Sequence, residues 1–410
     1  MSAIAITMSA CSDNPSTPPD TVDNTPNTTK FDVEWSSKAV VFKGADLADL
    51  QRIDSASFKF YFAPASQKAA GLSKGSILVL NNYAIRKVTS VQNSGGSLVV
   101  STEAAEITEA MTRADIQWNH GIDVSPAMLV KSFGKIAGAT TTGTSDSIVV
   151  SFSTGNFSVE FNVKHDGGES KIKGKLTKKQ FTGGGSKSAL FTMNGTLKKF
   201  RSVGSIQIRD GQVTQFDVDN DGVNADFVFT AVAAGSGNDL AVEIPVPMLK
   251  FPLPELPFLI FDLKALIVLN AAIPTDGSCD IGMRVQYNSD QGFAFEPQTK
   301  NIKPRSNIDW KGFTPTKPPQ TAASGPIAVS FGMAYPRMEL SIVGTKTAAW
   351  VQSAGLIGGD FTMFPVCRQA KASAILAGGL TVGVTGLSTG IKKTIWQKDT
   401  TFLKVGDCPP

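Results

Sequence analysis

Asp217, Asp219, Asp221 and Asp226 crowd into ten residues, the first three at alternate positions just ahead of Gly222, and they form the one plausible metal loop of the sequence. Calcium collects roughly six to eight oxygen ligands around a sharp turn, which carboxylates at every second position followed by glycine can supply. An EF-hand would close on a bidentate glutamate at the twelfth loop position, and that residue is Val228. The same residues also read as a hairpin, with Asn220-Asp221-Gly222 turning between the strand-like QVTQF and ADFVFTAV, and this is the preferred reading. Calcium is the only cofactor the sequence suggests.

A second set of residues is cationic. Lys171, Lys173, Lys175, Lys178 and Lys179, with Lys164, Lys187, Lys198, Lys199 and Arg201 around them, face only Asp166 and Glu169. In a strand, Lys171, Lys173 and Lys175 share one side, so part of the block forms a coherent basic strip. Such a strip attracts anionic surfaces such as lipopolysaccharide, acidic polysaccharide or extracellular DNA. It equally serves as a solvated sheet face whose lysines discourage edge-to-edge association, and that plainer role is preferred. Aromatic residues interleaved for base stacking are missing, which argues against a specific nucleic-acid partner.

Catalytic signatures are scarce. The sequence has no GxSxG, HExxH, P-loop or dinucleotide fingerprint, and its two histidines, His120 and His165, stand far apart. Ser132 and Lys135 match S-x-x-K, and Lys346-Thr347-Ala348 approaches K-T-G, but patterns this short arise by chance in a long chain. A polysaccharide hydrolase, the third functional reading, would need two carboxylates at a separation that sequence does not reveal. The expectation is a protein that is not an enzyme.

The elements that must carry these residues are strands. Of 410 residues 18% are charged, while Gly numbers 38 and Phe 25, a composition that fits an all-β chain with many glycine turns. This length exceeds what one core usually fills, so more than one unit is expected: a small N-terminal β domain (30–122) and a larger antiparallel β-sandwich-like body (123–410). Ahead of them, residues 12–29 are polar and proline-rich and read as a disordered tether. Residues 1–11 end in Met8-Ser9-Ala10-Cys11, which resembles a bacterial lipobox, although no basic segment precedes it and the apolar run is short. The resemblance implies acylation of Cys11, a membrane partner through the lipid anchor, and placement at the bacterial outer membrane, on the cell surface or outside the cell.

In the small domain, Phe58, Phe60 and Phe62 alternate along one side of a strand, and Gly44–Asp54 suits a short helix. Strands are expected at Ile77–Leu80, Ile85–Val91 and Leu98–Thr102, with a turn at Asn93–Gly96 and a helix over Thr102–Arg113. Gly75, Arg86-Lys87-Val88-Thr89-Ser90 and Thr102-Glu103-Ala104-Ala105 resemble a group of predicted secreted β-rich proteins and lipoproteins from environmental bacteria. The likeness covers about 40 residues and implies an extracellular setting without an assigned activity.

The large body is organised around Val242–Ile273, the longest apolar segment. Five prolines between Pro245 and Pro257 forbid a helix or a central strand there, and Asp262 and Lys264 interrupt the run before it could span a membrane. Phe258–Ile273 reads as a buried strand pair or one core helix, which periodicity alone does not separate, and strands are preferred. It either fills the core or lines a groove, and the groove gives the second functional reading, a carrier for a lipid or other hydrophobic ligand. Hairpins are expected at Ser147–Val163 and around Asn288–Gln291, and residues 303–326, rich in proline, read as a surface excursion. With Cys11 acylated, Cys279, Cys367 and Cys408 remain, and Cys367 with Cys408 is the expected disulfide. The first functional reading is a non-enzymatic surface or matrix lipoprotein with a structural or adhesive role, and a homo-oligomer is compatible with it.

Overall fold

The computed structural model describes residues 25–408, apart from 55–56, 82, 124, 127–129, 131–138, 155–156, 183–184, 235–239, 253–258, 273–277, 300, 323–326, 343–344, 346–347, 364–365 and 382–390. The described residues are overwhelmingly strand, with only short helical turns, an all-β protein. Cys11, most of the tether and the S-x-x-K match lie outside the described residues.

Strand β1 (Thr28–Trp35) begins inside the stretch expected as tether and alternates exposed with half-buried residues. A compact six-stranded sheet follows, built from β2 (Ala39–Phe42), β3 (Leu50–Asp54), β4 (Lys59–Phe62), β5 (Ile77–Leu80), β6 (Ala84–Ser94) and β7 (Ser97–Ala104) in the order β2-β5-β6-β7-β4-β3. Of the helix expected over Gly44–Asp54 only Gly44–Asp49 forms, as a 3-10 turn, while Leu50–Asp54 is β3, and α1 (Gln67–Ala70) is capped by the Ser66 hydroxyl. Phe42, Phe60, Phe62, Leu78, Leu80 and Val88 form a private core. Ile77, Val79 and Ile85, at the intervening positions of β5 and β6, point instead into the main core. The small sheet is therefore welded to the body by the period of two in its own strands.

Two expectations for this region need correction. Phe58 does not share the face of Phe60 and Phe62, because it sits in the turn before β4 with φ of 53° and is 51% exposed. The helix over Thr102–Arg113 shrinks to α2 (Ile107–Ala110), since β7 runs on to Ala104 in register with Arg86 and the next strand starts at Met111. Tertiary pairing overrides the local Ala and Glu propensity there.

From Met111 on the strands are β8 (Met111–Ile122), β9 (Thr140–Gly143), β10 (Ser147–Thr154), β11 (Phe157–Asp166), β12 (Glu169–Thr182), β13 (Gly185–Lys198), β14 (Phe200–Arg209) and β15 (Gln212–Ala234). They continue as β16 (Leu240–Pro252), β17 (Leu259–Ala272), β18 (Ser278–Glu296), β19 (Asn301–Ala322), β20 (Ile327–Ile342), β21 (Ala348–Met363), β22 (Val366–Thr381) and β23 (Ile391–Gly406).

Eleven strands make one sheet, in the order β1-β8-β14-β15-β13-β12-β11-β10-β9 with β18 and β19 added beyond β15. The organising strand is β15. Its first half pairs with β14 and its second with β13, while β18 pairs along nearly its full length. The sheet thus forks at Lys199, where β13 and β14 part company. The remaining strands form a six-stranded antiparallel sheet, β16-β17-β20-β21-β22-β23. Its buried residues, among them Phe261, Leu263, Leu340, Val351 and Leu376, share one continuous core with Phe161, Phe216, Phe227 and Phe293 of the larger sheet. Phe200 and Phe261 meet across the two, ring centroids 6.4 Å apart.

Proline places two strands at edges. The proline-broken segment as far as Pro252 lies in β16, the outermost strand of its sheet, Pro254 and Pro257 being outside the described residues, and β17 beside it is central. Residues 303–322 belong to β19 and pair with β18, which corrects the surface excursion. An edge strand needs its donors on one side only, so Pro304, Pro315, Pro318 and Pro319 fit where a central strand would reject them.

Candidate functional site

Lys171, Lys173 and Lys175 are exposed on β12 while Ile172, Gly174 and Leu176 between them are buried. A side chain at Gly174 would enter the ring of Phe161 at 2.8 Å, so glycine there lets the strand lie flat and hold its lysines outward. Cross-strand register then sets their neighbours. Lys164 of β11 stands directly opposite Lys171, Lys173 lies between Asn162 and Asn194, and Lys175 lies between Glu160 and Thr192. A like-charged pair directly opposite costs stability in a sheet. The acid nearest to Lys171 is Asp166, at 3.9 Å and well exposed. Lys178 and Lys179 are opposite Ala189 and Ser188 further along the strand, where side chains lie outside the description. The structure brings three of the five expected lysines, joined by Lys164, onto one outward face.

The aspartates are not a loop and not a hairpin. Asp217, Asp219, Asp221 and Asp226 lie within β15, and the Asn220-Asp221-Gly222 turn signal becomes a β-bulge in which one extra residue sits between Asn220, opposite Gln291, and Val223, opposite Ser289. Gly222 has φ of 70°, as the bulge requires. The second turn signal, Asn288–Gln291, lies in β18 opposite this bulge, so two expected hairpins cancel into one irregular pair of long strands. The extra residue shifts the alternation, which keeps Asp217, Asp219 and Asp226 all on the outer face.

Arginines hold three of these acids. Arg305 of β19 reaches Asp219 at 2.8 Å and Asp217 at 3.5 Å. Arg284 of β18 grips Asp226 with two bonds of 2.9 and 2.6 Å, and Gln286 adds a third of 3.0 Å. The hydrogen bonds from Arg284 keep the Asp226 carboxyl below its ordinary range. Burial pushes Asp219 up in spite of Arg305, and burial followed by the charges of Asp290 and Asp219 pushes up Asp221. Among the described residues no three His, Cys, Asp or Glu side chains gather as a metal ion would require.

Two clefts open on this outer face, one on each side of the bulge. The first, of about 630 Å³, is lined by Asp217, Asp219, Arg305, Lys30 and Gln117. The second, of about 680 Å³, lies at the fork of the sheet, lined by Lys171, Lys198, Lys199, Arg201, Asp221 and Asn288 among others. Lys171 belongs both to this cleft and to the lysine face, so the two are continuous.

No family model, no curated protein and no solved structure matches the chain. What it does must be argued from these residues.

Three arrangements escaped the sequence. His165 Nδ1 lies 3.3 Å from the Ser170 hydroxyl and its Nε2 3.4 Å from Asp123, a serine, histidine and aspartate in contact. Ser170 is only 1% exposed, so this array offers no accessible nucleophile and serves instead to tie the β11–β12 hairpin to the end of β8. A polar row crosses the core face of the large sheet: His120, Ser202, Asn220 and Gln291 are opposite one another in sequence across β8, β14, β15 and β18, and all are buried. Ser353 of the facing sheet donates to Gln291 at 3.0 Å, and Trp118 donates to Ser202 at 3.3 Å. Polar side chains at core parity were the one available signal, and only strand order reveals that they align. The third arrangement, Arg86 stacked on Phe58, belongs to the small sheet. Cys367 and Cys408 are joined as a disulfide that fastens β22 to the end of β23.

Proposed function

We propose that the chain is a non-enzymatic bacterial surface or extracellular-matrix lipoprotein with a structural or adhesive role, holding anionic polysaccharide or lipopolysaccharide on the outer face of β11–β13. The observation that carries this reading is the row Lys171, Lys173 and Lys175, exposed on one face with Lys164 set against Lys171. Among the described residues, Lys173 and Lys175 form no ion pair, so their charge is available to a partner. A polyanion laid along β12 would also relieve the repulsion between Lys164 and Lys171.

The packing of Leu259, Phe261 and Leu263 into the shared core favours this reading over a carrier lined by the central apolar segment. A hydrolase would need two carboxyls free to divide acid and base roles, and Asp219 is engaged by Arg305. Anchoring through Cys11 would hold the body at the outer membrane with this face open to its surroundings.

The test is retention of the full chain on immobilised alginate and on lipopolysaccharide, with neutral dextran as control. Binding should fall as salt rises, and the triple variant Lys171→Glu, Lys173→Glu, Lys175→Glu should lose at least tenfold. Equal retention of the variant, or equal retention on dextran, refutes the proposal.

A further inference from the structure

Phe58 and Tyr83 are the two aromatic side chains that stand out among the described residues, 51% and 50% exposed, and both are on the small sheet. Register places them at the same end of it. Lys59 pairs with Ser101, Arg86 with Ala104 and Leu80 with Ala84, so the turn before β4 and the turn before β6 both emerge where β7 ends. The two turns are two strand spacings apart across the sheet, roughly 10 Å, and offset along it by about five residue rises, roughly 17 Å, because Phe58 lies level with Thr102 and Tyr83 lies three residues beyond the Arg86–Ala104 pair.

Phe58 is held there against its own preferences. Its φ of 53° is left-handed, a conformation that glycine adopts freely and an aromatic residue does not. Its carbonyl accepts from both the Thr102 amide, at 3.2 Å, and the Thr102 hydroxyl, at 2.8 Å. The Arg86 guanidinium carbon lies over the ring, 4.3 Å from the centroid, and Arg86 is itself 6% exposed and donates to the Thr102 hydroxyl at 3.2 Å. One face of the ring is therefore backed by a fixed cation and the other is open to solvent. Backbone strain of this kind persists only where the surrounding structure holds it, and it clusters at ligand clamps and other functional sites.

We infer that this end of the small sheet is a stacking site for a polysaccharide chain, with Phe58 and Tyr83 each receiving the apolar face of a pyranose ring. Two isolated rings cover far less than the roughly 1,000 Å² that a specific protein interface needs. Two aromatics set this far apart, across and along the sheet, suit a long ligand that repeats a flat ring rather than one small molecule. Ser57, Lys59 and Asn81 border the two aromatics with groups that can bond to sugar hydroxyls. The site is independent of the lysine face and needs no charge on the polymer.

Sedimentation with insoluble cellulose and with chitin in 0.5 M NaCl tests this, because that salt screens the lysine face and leaves stacking intact. The full chain should sediment with at least one of the two polymers. Phe58→Gly, which relieves the backbone, should reduce the bound fraction at least tenfold while its unfolding midpoint stays level or rises. Tyr83→Ser should weaken binding likewise without moving the midpoint. The inference is overturned if neither polymer retains the chain, if both variants bind like the parent, or if Phe58→Gly lowers the midpoint, which would make Phe58 a plug over Arg86. Loss of alginate binding in the lysine variant has no bearing on these outcomes, so the two readings fail separately.

Discussion

Gly204 is a position where the large sheet tolerates little change. It lies on β14 opposite Val218 and against the indole of Trp118, which is 2% exposed. A Cβ at Gly204 would stand 2.1 Å from Trp118 Cζ2, 2.5 Å from Cη2 and 2.6 Å from the Asp217 carbonyl. Carbon atoms in contact prefer about 3.5 to 4 Å, so the indole would have to retreat by more than an ångström into a filled core. Overpacking of this kind costs about 1 to 3 kcal/mol. Retreat also breaks the Trp118 Nε1 bond to Ser202, about 1 kcal/mol more. Gly204→Ala should therefore destabilise the protein by about 3 kcal/mol in guanidinium unfolding. Trp118→Leu removes the indole and leaves only the Asp217 carbonyl in the way, so the double variant should cost at least about 1 kcal/mol less than the two single costs combined. A single cost under about 0.5 kcal/mol, or strict additivity, would refute the packing described for β8 and β14.

Other outcomes follow from the same structure. Reducing the Cys367–Cys408 disulfide, which closes a loop over 41 positions, should lower stability by about 4 kcal/mol, measured by unfolding with and without reductant. Asp226 has a lowered carboxyl, so its contribution is present above the ordinary value of 3.8 and lost as pH falls through the folded value. Asp221 runs the opposite way: its raised carboxyl brings a penalty absent below 3.8 and complete above the folded value. Asp221→Asn should thus raise the thermal midpoint at pH 7 and leave it unchanged at pH 3, and a fall at pH 7 would sink this reading of the cleft. Cys11→Ala should abolish incorporation of labelled palmitate in a bacterial host; undiminished label would remove the lipid anchor from the proposed function.

Much of the fold was legible because its strands obey a period of two. Phe157, Val159, Phe161 and Val163 are buried and Ser158 and Glu160 exposed, as their alternation indicates, and the prolines of β16 mark an edge. Failures came where local chemistry met a distant partner. Asn220-Asp221-Gly222 and Asn288–Gln291 each carry genuine turn residues, but they face each other across β15 and β18, so the chain absorbs both as a bulge and runs on. The prolines of β19 suggested a loop because sequence does not show which strands have a free edge. Of the candidate sites, the lysine spacing of β12 was readable from residue types alone. The pairing of Asp217, Asp219 and Asp226 with arginines some 58 to 88 positions away was not.

The fork in the large sheet governs how the molecule bears a pull. Tension between its N-terminal end and the lysines of β12 has to pass from β1 through β8 and β14 into β15, and out again through β13. Every ribbon on that route is stitched sideways to the next, and at β15 the two branches grip separate halves of a single 23-residue strand. The body should therefore resist stretching as one riveted plate, yielding only when many stitches shear together.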